Sequence, residues 1–205
     1  MGDELTRPYV LSIDIGTSSC RAIVFDSTGN AVDGVRAQIE YHPDNKLVGQ
    51  STFAAETLLS NVCQCLDLVL AIARSKEIRI SAVGTTCFWH SMIGLDRDLQ
   101  PATPIYTWAD TRAASASDQV KESLDLVRYR RETGTPIHPC FYPSKLQWLS
   151  QNGLDINSLQ WLSPTDYIYF RLFGKILTSH SMASGTGLYD QHRKVWSEFA
   201  GSSIG

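Results

Sequence analysis

The segment Leu11-Ser12-Ile13-Asp14-Ile15-Gly16-Thr17-Ser18-Ser19 begins as an alternating apolar run and ends in small residues, and the apolar pattern resumes at Ala22-Ile23-Val24-Phe25. A link this short makes the two runs antiparallel neighbours, because parallel strands need a long crossover. Asp14 stands at the end of the first run, with a glycine and three hydroxyls directly behind it. Such a turn can aim a carboxylate, backbone N–H groups and hydroxyls at one point, as a nucleotide phosphate and its metal require. A strand-end aspartate is also a common turn or cap residue. The pattern is not a P-loop, since G-x-x-x-x-G-K-[ST] is absent.

Three strands follow from the pattern, Tyr9–Ile15, Arg21–Phe25 and Ala31–Ile39, the second link being the turn-former cluster Asp26-Ser27-Thr28-Gly29-Asn30. Apolar residues from Phe53 to Ala73 recur at helical spacing, which predicts a helix from Thr52 to about Arg74 capped by Ser51 or Thr52. Further strands are expected at Ile78–Thr86, Ser91–Leu95, Pro104–Trp108 and Ile176–Ser179. Further helices are expected at Thr111–Arg130, Ser144–Gln151 and Asp166–Phe173. No repeat or low-complexity linker interrupts the chain, so it reads as one α/β domain after a polar tail at residues 1–8.

The 205 residues carry 18 Lys+Arg against 21 Asp+Glu, a net charge of −3, with no basic cluster. That balance argues against a nucleic-acid partner and leaves any bound phosphate to local geometry. Cys20, Cys63, Cys65, Cys87 and Cys140 form no C-x-x-C pair and no zinc spacing, which fits reduced thiols in the cytoplasm. The tail has no signal-peptide core, and the apolar stretch near Cys65–Ala73 contains Asp67 and is too short to span a bilayer.

Two further segments carry chemistry-bearing residues. In an extended Trp108-Ala109-Asp110-Thr111-Arg112, spacing of two would put an aromatic plane, a carboxylate and a guanidinium on one face, a set suited to a polyhydroxylated ligand. The competing reading makes Asp110 a cap on the next helix. Phe88-Trp89-His90-Ser91-Met92 lies between two strands, where a sheet exposes binding residues; His90 could donate to a hydroxyl or carboxylate, or be a satisfied structural histidine.

Asp14-Ile15-Gly16-Thr17-Ser18-Ser19, Trp89-His90-Ser91, Trp108-Ala109-Asp110-Thr111-Arg112 and Ser181-Met182-Ala183-Ser184-Gly185-Thr186-Gly187-Leu188-Tyr189-Asp190, in this order, resemble the N-terminal domain of the FGGY family of carbohydrate kinases. Thr133-Gly134-Thr135-Pro136-Ile137-His138-Pro139, followed by Pro143-Ser144-Lys145-Leu146-Gln147-Trp148-Leu149, looks more like the gluconokinase branch, with xylulokinase-like members second. The resemblance implies an actin/hexokinase-like (ribonuclease H-like) fold, a mixed sheet opening with an antiparallel three-strand meander and flanked by helices. It implies ATP and Mg²⁺ as cofactors. Asp14 would organise the metal and phosphates, and Gly16, Thr17, Ser18 and Ser19 would approach the transferred group. Trp89, His90, Trp108, Asp110 and Arg112 would hold the sugar or sugar acid.

Family members continue into a glycine-rich segment with the aspartate that acts as general base, and then into a nucleotide-binding domain. No aspartate of this chain matches that base. The expectation is therefore residues 9–205 as an incomplete sugar-binding domain, inactive alone and completed by a separate C-terminal kinase domain. A non-catalytic sugar-binding or interaction module is the alternative.

Overall fold

The computed structural model describes residues 8–202 and 204; most of the polar tail lies outside them. The chain divides into two compact units, one built from the segment up to His42 with Glu56–Cys87, the other from Pro43–Ala55 with the segment from Phe88 onward.

In the first unit β1 (Tyr9–Ile15), β2 (Ser19–Phe25) and β3 (Ala31–Glu40) form the expected meander. β1 pairs antiparallel with β2, and β2 with β3. The chain then leaves this unit for an excursion that holds β4 (Thr52–Phe53), and returns through α1 (Ala55–Ser75) to β5 (Ile80–Cys87). β5 runs parallel to β1, giving a mixed sheet of order β3-β2-β1-β5. Alternation decides the faces: Leu11, Ile13 and Ile15 are buried while Asp14 is exposed.

By length and composition α1 could cross a membrane. Its buried residues, Ala55, Leu58, Leu59, Val62, Cys65, Val69 and Ala73, fall on one stripe at spacings of three and four. The Cys65 thiol meets the carbonyls of Cys20 on β2 (3.5 Å) and Ala37 on β3 (3.6 Å), so that stripe faces the sheet. The helix begins at Ala55, not Thr52, because Thr52 and Phe53 are drawn into strand pairing.

The second unit carries β6 (Ile93–Leu95), β7 (Ile105–Tyr106), α2 (Ala114–Ser123), α3 (Leu126–Thr133) and α4 (Tyr142–Gln151). There follow β8 (Gln160–Leu162), α5 (Pro164–Phe173), α6 (His180–Ser184), β9 (Tyr189–Asp190), β10 (Val195–Trp196) and α7 (Glu198–Gly201). β4 pairs with β7 and β6 with β8, each antiparallel. Met92, Tyr106, Tyr142, Leu146, Leu149 and Ile156 form its main apolar cluster, to which α4 contributes Tyr142, Leu146 and Leu149 from successive turns.

Two expectations need correction here. The single helix over Thr111–Arg130 is two helices, because Leu124 turns extended and Asp125 starts anew: its carboxylate accepts from the N–H groups of Val127 and Arg128, both at 3.0 Å. Ile176–Ser179 forms no strand; Ser179 instead caps α6. Asp125→Ala should lower unfolding free energy by about 1 kcal/mol in denaturant titration, the usual loss for an N-cap. An unchanged midpoint would contradict this account of the break.

Candidate functional site

The second unit holds a polar knot centred on Asp110, which is 2 % exposed. The segment carrying it is a turn, not the extended stretch expected, because its polar groups bond backward and across to Gly49–Ser51. Thr107 N donates to Ser51 O (3.0 Å), Thr111 N to Gly49 O (2.9 Å), and the Thr107 hydroxyl to the Ser51 hydroxyl (2.6 Å). Gly49 has φ +76° and a side chain there would strike the Thr111 hydroxyl, so this position requires glycine. Within that frame Asp110 Oδ2 accepts from Ser51 N at 3.1 Å.

Arg112 closes on the same carboxylate from two residues away. Nε lies 3.0 Å from Oδ1 and Nη2 2.6 Å from Oδ2, a bidentate fork, and Arg112 N adds a bond of 3.2 Å to Oδ1. The guanidinium also stands 4.7 Å from the Trp148 ring centroid and 5.7 Å from that of Tyr106. Asp110 is thus neither a helix cap nor a free acceptor: its charge is neutralised in place, and Arg112 keeps its remaining N–H donors. Trp108, held out by the turn, leaves half its surface in solvent.

A second group of loops meets this one through Ser91. Its hydroxyl accepts from Trp108 N at 2.9 Å and donates to Trp89 O at 3.0 Å. Tyr142 on α4 donates to Ser91 O at 2.8 Å. Between them His90 adopts φ +56°, a left-handed conformation that few side chains take without support. Its ring stacks on Trp89 (centroids 4.7 Å, 19° between planes) and meets Phe141 edge-on at 4.6 Å. Gly185 lies so close under the Trp89 indole that a Cβ would overlap it. The structure therefore gathers Trp89, His90, Trp108, Asp110 and Arg112 onto adjoining loops of one unit.

The tautomer of His90 follows from its partner. Nδ1 lies 2.7 Å from Gly185 O, and a carbonyl can only accept, so Nδ1 carries the proton. Burial lowers the ring's pKa, and the positive charge of Lys145 works in the same direction against the Gly185 bond. A neutral ring with Nδ1–H presents Nε2 as an acceptor for a hydroxyl.

Sequence reasoning read Ser51 only as a cap for the long helix, and gave Gly49 and Lys145 no individual role. Lys145 is 2 % exposed, and its Nζ donates to Cys140 O (2.5 Å) and His90 O (3.0 Å). Burial pulls this ammonium down to about 8, opposed by Cys140 and Asp110. The Trp148 stack and the Lys145 bonds share α4, whose apolar pattern is legible but whose inward lysine breaks it.

In the first unit Asp14 is exposed at the end of β1, opposite Arg21 on β2 and Thr86 on β5. Gly16 N donates to Ser19 O at 2.8 Å, closing the turn, and the hydroxyl of Tyr41, the residue after β3, donates to Gly16 O at 2.8 Å. Ser18 is exposed, Thr17 half-buried and Ser19 buried. Among the described residues no group of three or more His, Cys, Asp or Glu side chains could hold a metal. In this unit burial also pushes the Cys20 and Cys65 thiols up.

Nitrogen-detected NMR should find His90 at neutral pH with a proton on Nδ1 and none on Nε2, titrating below 6.5 because burial lowers it. A proton on Nε2, or a midpoint at or above the ordinary value, would contradict the geometry.

The chain is similar to the gluconokinase of Bacillus subtilis (strain 168), 31% identical over 195 residues, covering 94% of this chain and 37% of that protein. It is 31% identical over 195 residues to the xylulose kinase of Lactococcus lactis subsp. lactis (strain IL1403), covering 93% and 38%. The crystal structure of gluconate kinase from Lactobacillus acidophilus superposes with a TM-score of 0.86 at 27% identity, covering 97% of this chain and 40% of that one. The fold is that of the actin/hexokinase-like sugar kinases, and the chain spans about two-fifths of the length of these relatives. Residues 9–205 match the model of the FGGY N-terminal domain, and the chain belongs to the FGGY family of carbohydrate kinases.

Proposed function

We propose that the chain is the sugar-binding, N-terminal part of a cytoplasmic kinase that moves the γ-phosphoryl of ATP to a terminal hydroxyl of a sugar or sugar acid, gluconate first. The observation that carries this reading is the preorganised cluster in the second unit. Two half-exposed indoles, Trp89 at 41% and Trp108 at 50%, stand on loops joined through Ser91, and the same loops carry a neutral imidazole and a guanidinium already oriented by a buried carboxylate. Aromatic faces pack on the C–H surface of a sugar, Nε2 of His90 accepts from a hydroxyl, and the unspent N–H groups of Arg112 donate to a hydroxyl or carboxylate. Asp110 acts by holding Arg112 still. Preference for gluconate rests on the similarity to two gluconate-named relatives and on the 133–149 stretch.

Asp14 fits a magnesium–nucleotide at the level of its chemistry. Mg²⁺ takes one or two carboxylates beside substrate phosphates and water, and Asp14 is a single exposed carboxylate followed by a closed, hydroxyl-bearing turn. When bound, the metal would neutralise charge developing on the phosphates. Asp14 would orient it, Gly16 would allow close approach of backbone, and Thr17 and Ser18 would offer donors, with buried Ser19 closing the turn behind them. The resemblance implies that the catalytic base and the adenosine-binding half would lie in a C-terminal domain.

Calorimetric titration should show saturable gluconate binding, weaker xylulose binding, and roughly tenfold or greater loss of gluconate affinity in Trp108→Ala, a surface change that spares the fold. Absence of binding by either ligand, with a cooperative thermal transition retained, would overturn the proposal. With the base and the adenosine-binding half supplied by that domain, these 205 residues by themselves should transfer phosphoryl from ATP to gluconate negligibly. Ordinary turnover would overturn the half-enzyme reading. Sugar binding by a monomer that captures no C-terminal kinase domain would favour the alternative of a non-catalytic module.

A further inference from the structure

Lys145 is a long cation buried to 2 % whose bonded partners are two carbonyls, Cys140 O at 2.5 Å and His90 O at 3.0 Å. Burying an ammonium is costly unless its donors are spent on something that matters to the fold or the site, and an apolar residue of similar length would fill this space without that cost. What the two bonds fix is specific. One orients the carbonyl of a residue in the left-handed region, at φ +56°. The other ties down Cys140, whose neighbour Phe141 places its ring edge against His90.

We propose that Lys145 is a positioning residue for His90: its two bonds set the left-handed His90 peptide and the Phe141 wall, and so aim the imidazole Nε2 at the ligand. The inference rests on the reading of His90 as sugar-facing. Three supports then converge on one ring. Gly185 O fixes the tautomer, Trp89 and Phe141 fix the plane, and Lys145 fixes the peptide from which the ring springs. Without the ammonium, the peptide would lose the bond that holds its carbonyl inward, and the ring would be free to leave its stack. Lys145 touches no ligand in this account and acts through His90 alone.

The test compares K145M, K145Q and I168A in the 205-residue chain, Ile168 being a buried residue of α5 that is not part of the apolar cluster beneath Tyr106 and Tyr142. Three readouts are taken: the thermal midpoint, the His90 imidazole resonances assigned by their loss in H90Q, and gluconate affinity by calorimetry. K145M should displace the His90 resonances and weaken gluconate by roughly tenfold to a hundredfold, the cost of misplacing an oriented group. K145Q, which keeps an N–H donor, should restore part of both. I168A should lower the thermal midpoint while leaving the His90 signature and affinity as in the parent. If K145M keeps the parent's His90 signature and loses only stability, Lys145 is merely structural and the inference fails. If K145M does not fold, K145Q decides: an intermediate signature supports the inference and an unchanged one overturns it. If the parent chain binds neither gluconate nor xylulose, the sugar reading fails, while the His90 signature still judges Lys145 by itself.

Discussion

The second unit is organised by one neutralised charge. A buried carboxylate with no partner would be expelled or protonated, so Asp110 needs the Arg112 fork and the Ser51 N–H to exist where it does. Meeting that need fixes other things in turn. It draws the Thr107–Arg112 turn against Gly49–Ser51, leaves Trp108 at the surface, and sets the guanidinium over Trp148 on α4. The pair is weak as a source of stability, since desolvation takes back most of the attraction. Its value is orientation: a guanidinium held on both sides has little rotamer freedom left to lose when a ligand arrives.

The same logic runs through the His90 loop, with lysine in place of arginine. Left-handed backbone at a non-glycine residue persists only when surroundings over-determine it. Here they do, by Gly185 O, by two aromatic rings, and by Lys145. Small residues make room for this: Gly185 under the Trp89 indole and Gly49 against Thr111 are positions where a methyl group would push those side chains out of place. Glycines and hydroxyls that look like ordinary loop in the sequence are therefore part of how the Asp110 and His90 loops are built.

The opening meander was legible because period-two alternation and two short links leave one arrangement for Tyr9–Glu40. The long helix was legible from its stripe, but its start was not, since Thr52–Phe53 pair with a strand fifty residues away. The split of Thr111–Arg130 hid behind an unbroken polar pattern; only Asp125, a good cap within it, marked the new start. β8 went unread because three residues become a strand solely by pairing with Ile93–Leu95. For the site, residue types were legible and geometry was not. Spacing suggested that Trp108, Asp110 and Arg112 would share a face, yet Asp110 and Arg112 bind each other. Lys145 carried no signal, because a lysine in an apolar helix pattern is ordinarily solvent-facing.

The central claim is that this chain alone presents a finished sugar-facing site. The most direct measurement is a crystal structure of the chain with gluconate bound. The account predicts the sugar acid between Trp89 and Trp108, with a hydroxyl on His90 Nε2, an oxygen on Arg112, and the Asp110 pair unmoved. Gluconate bound elsewhere on the chain, or bound here only after the Asp110–Arg112 pair has opened, would contradict it.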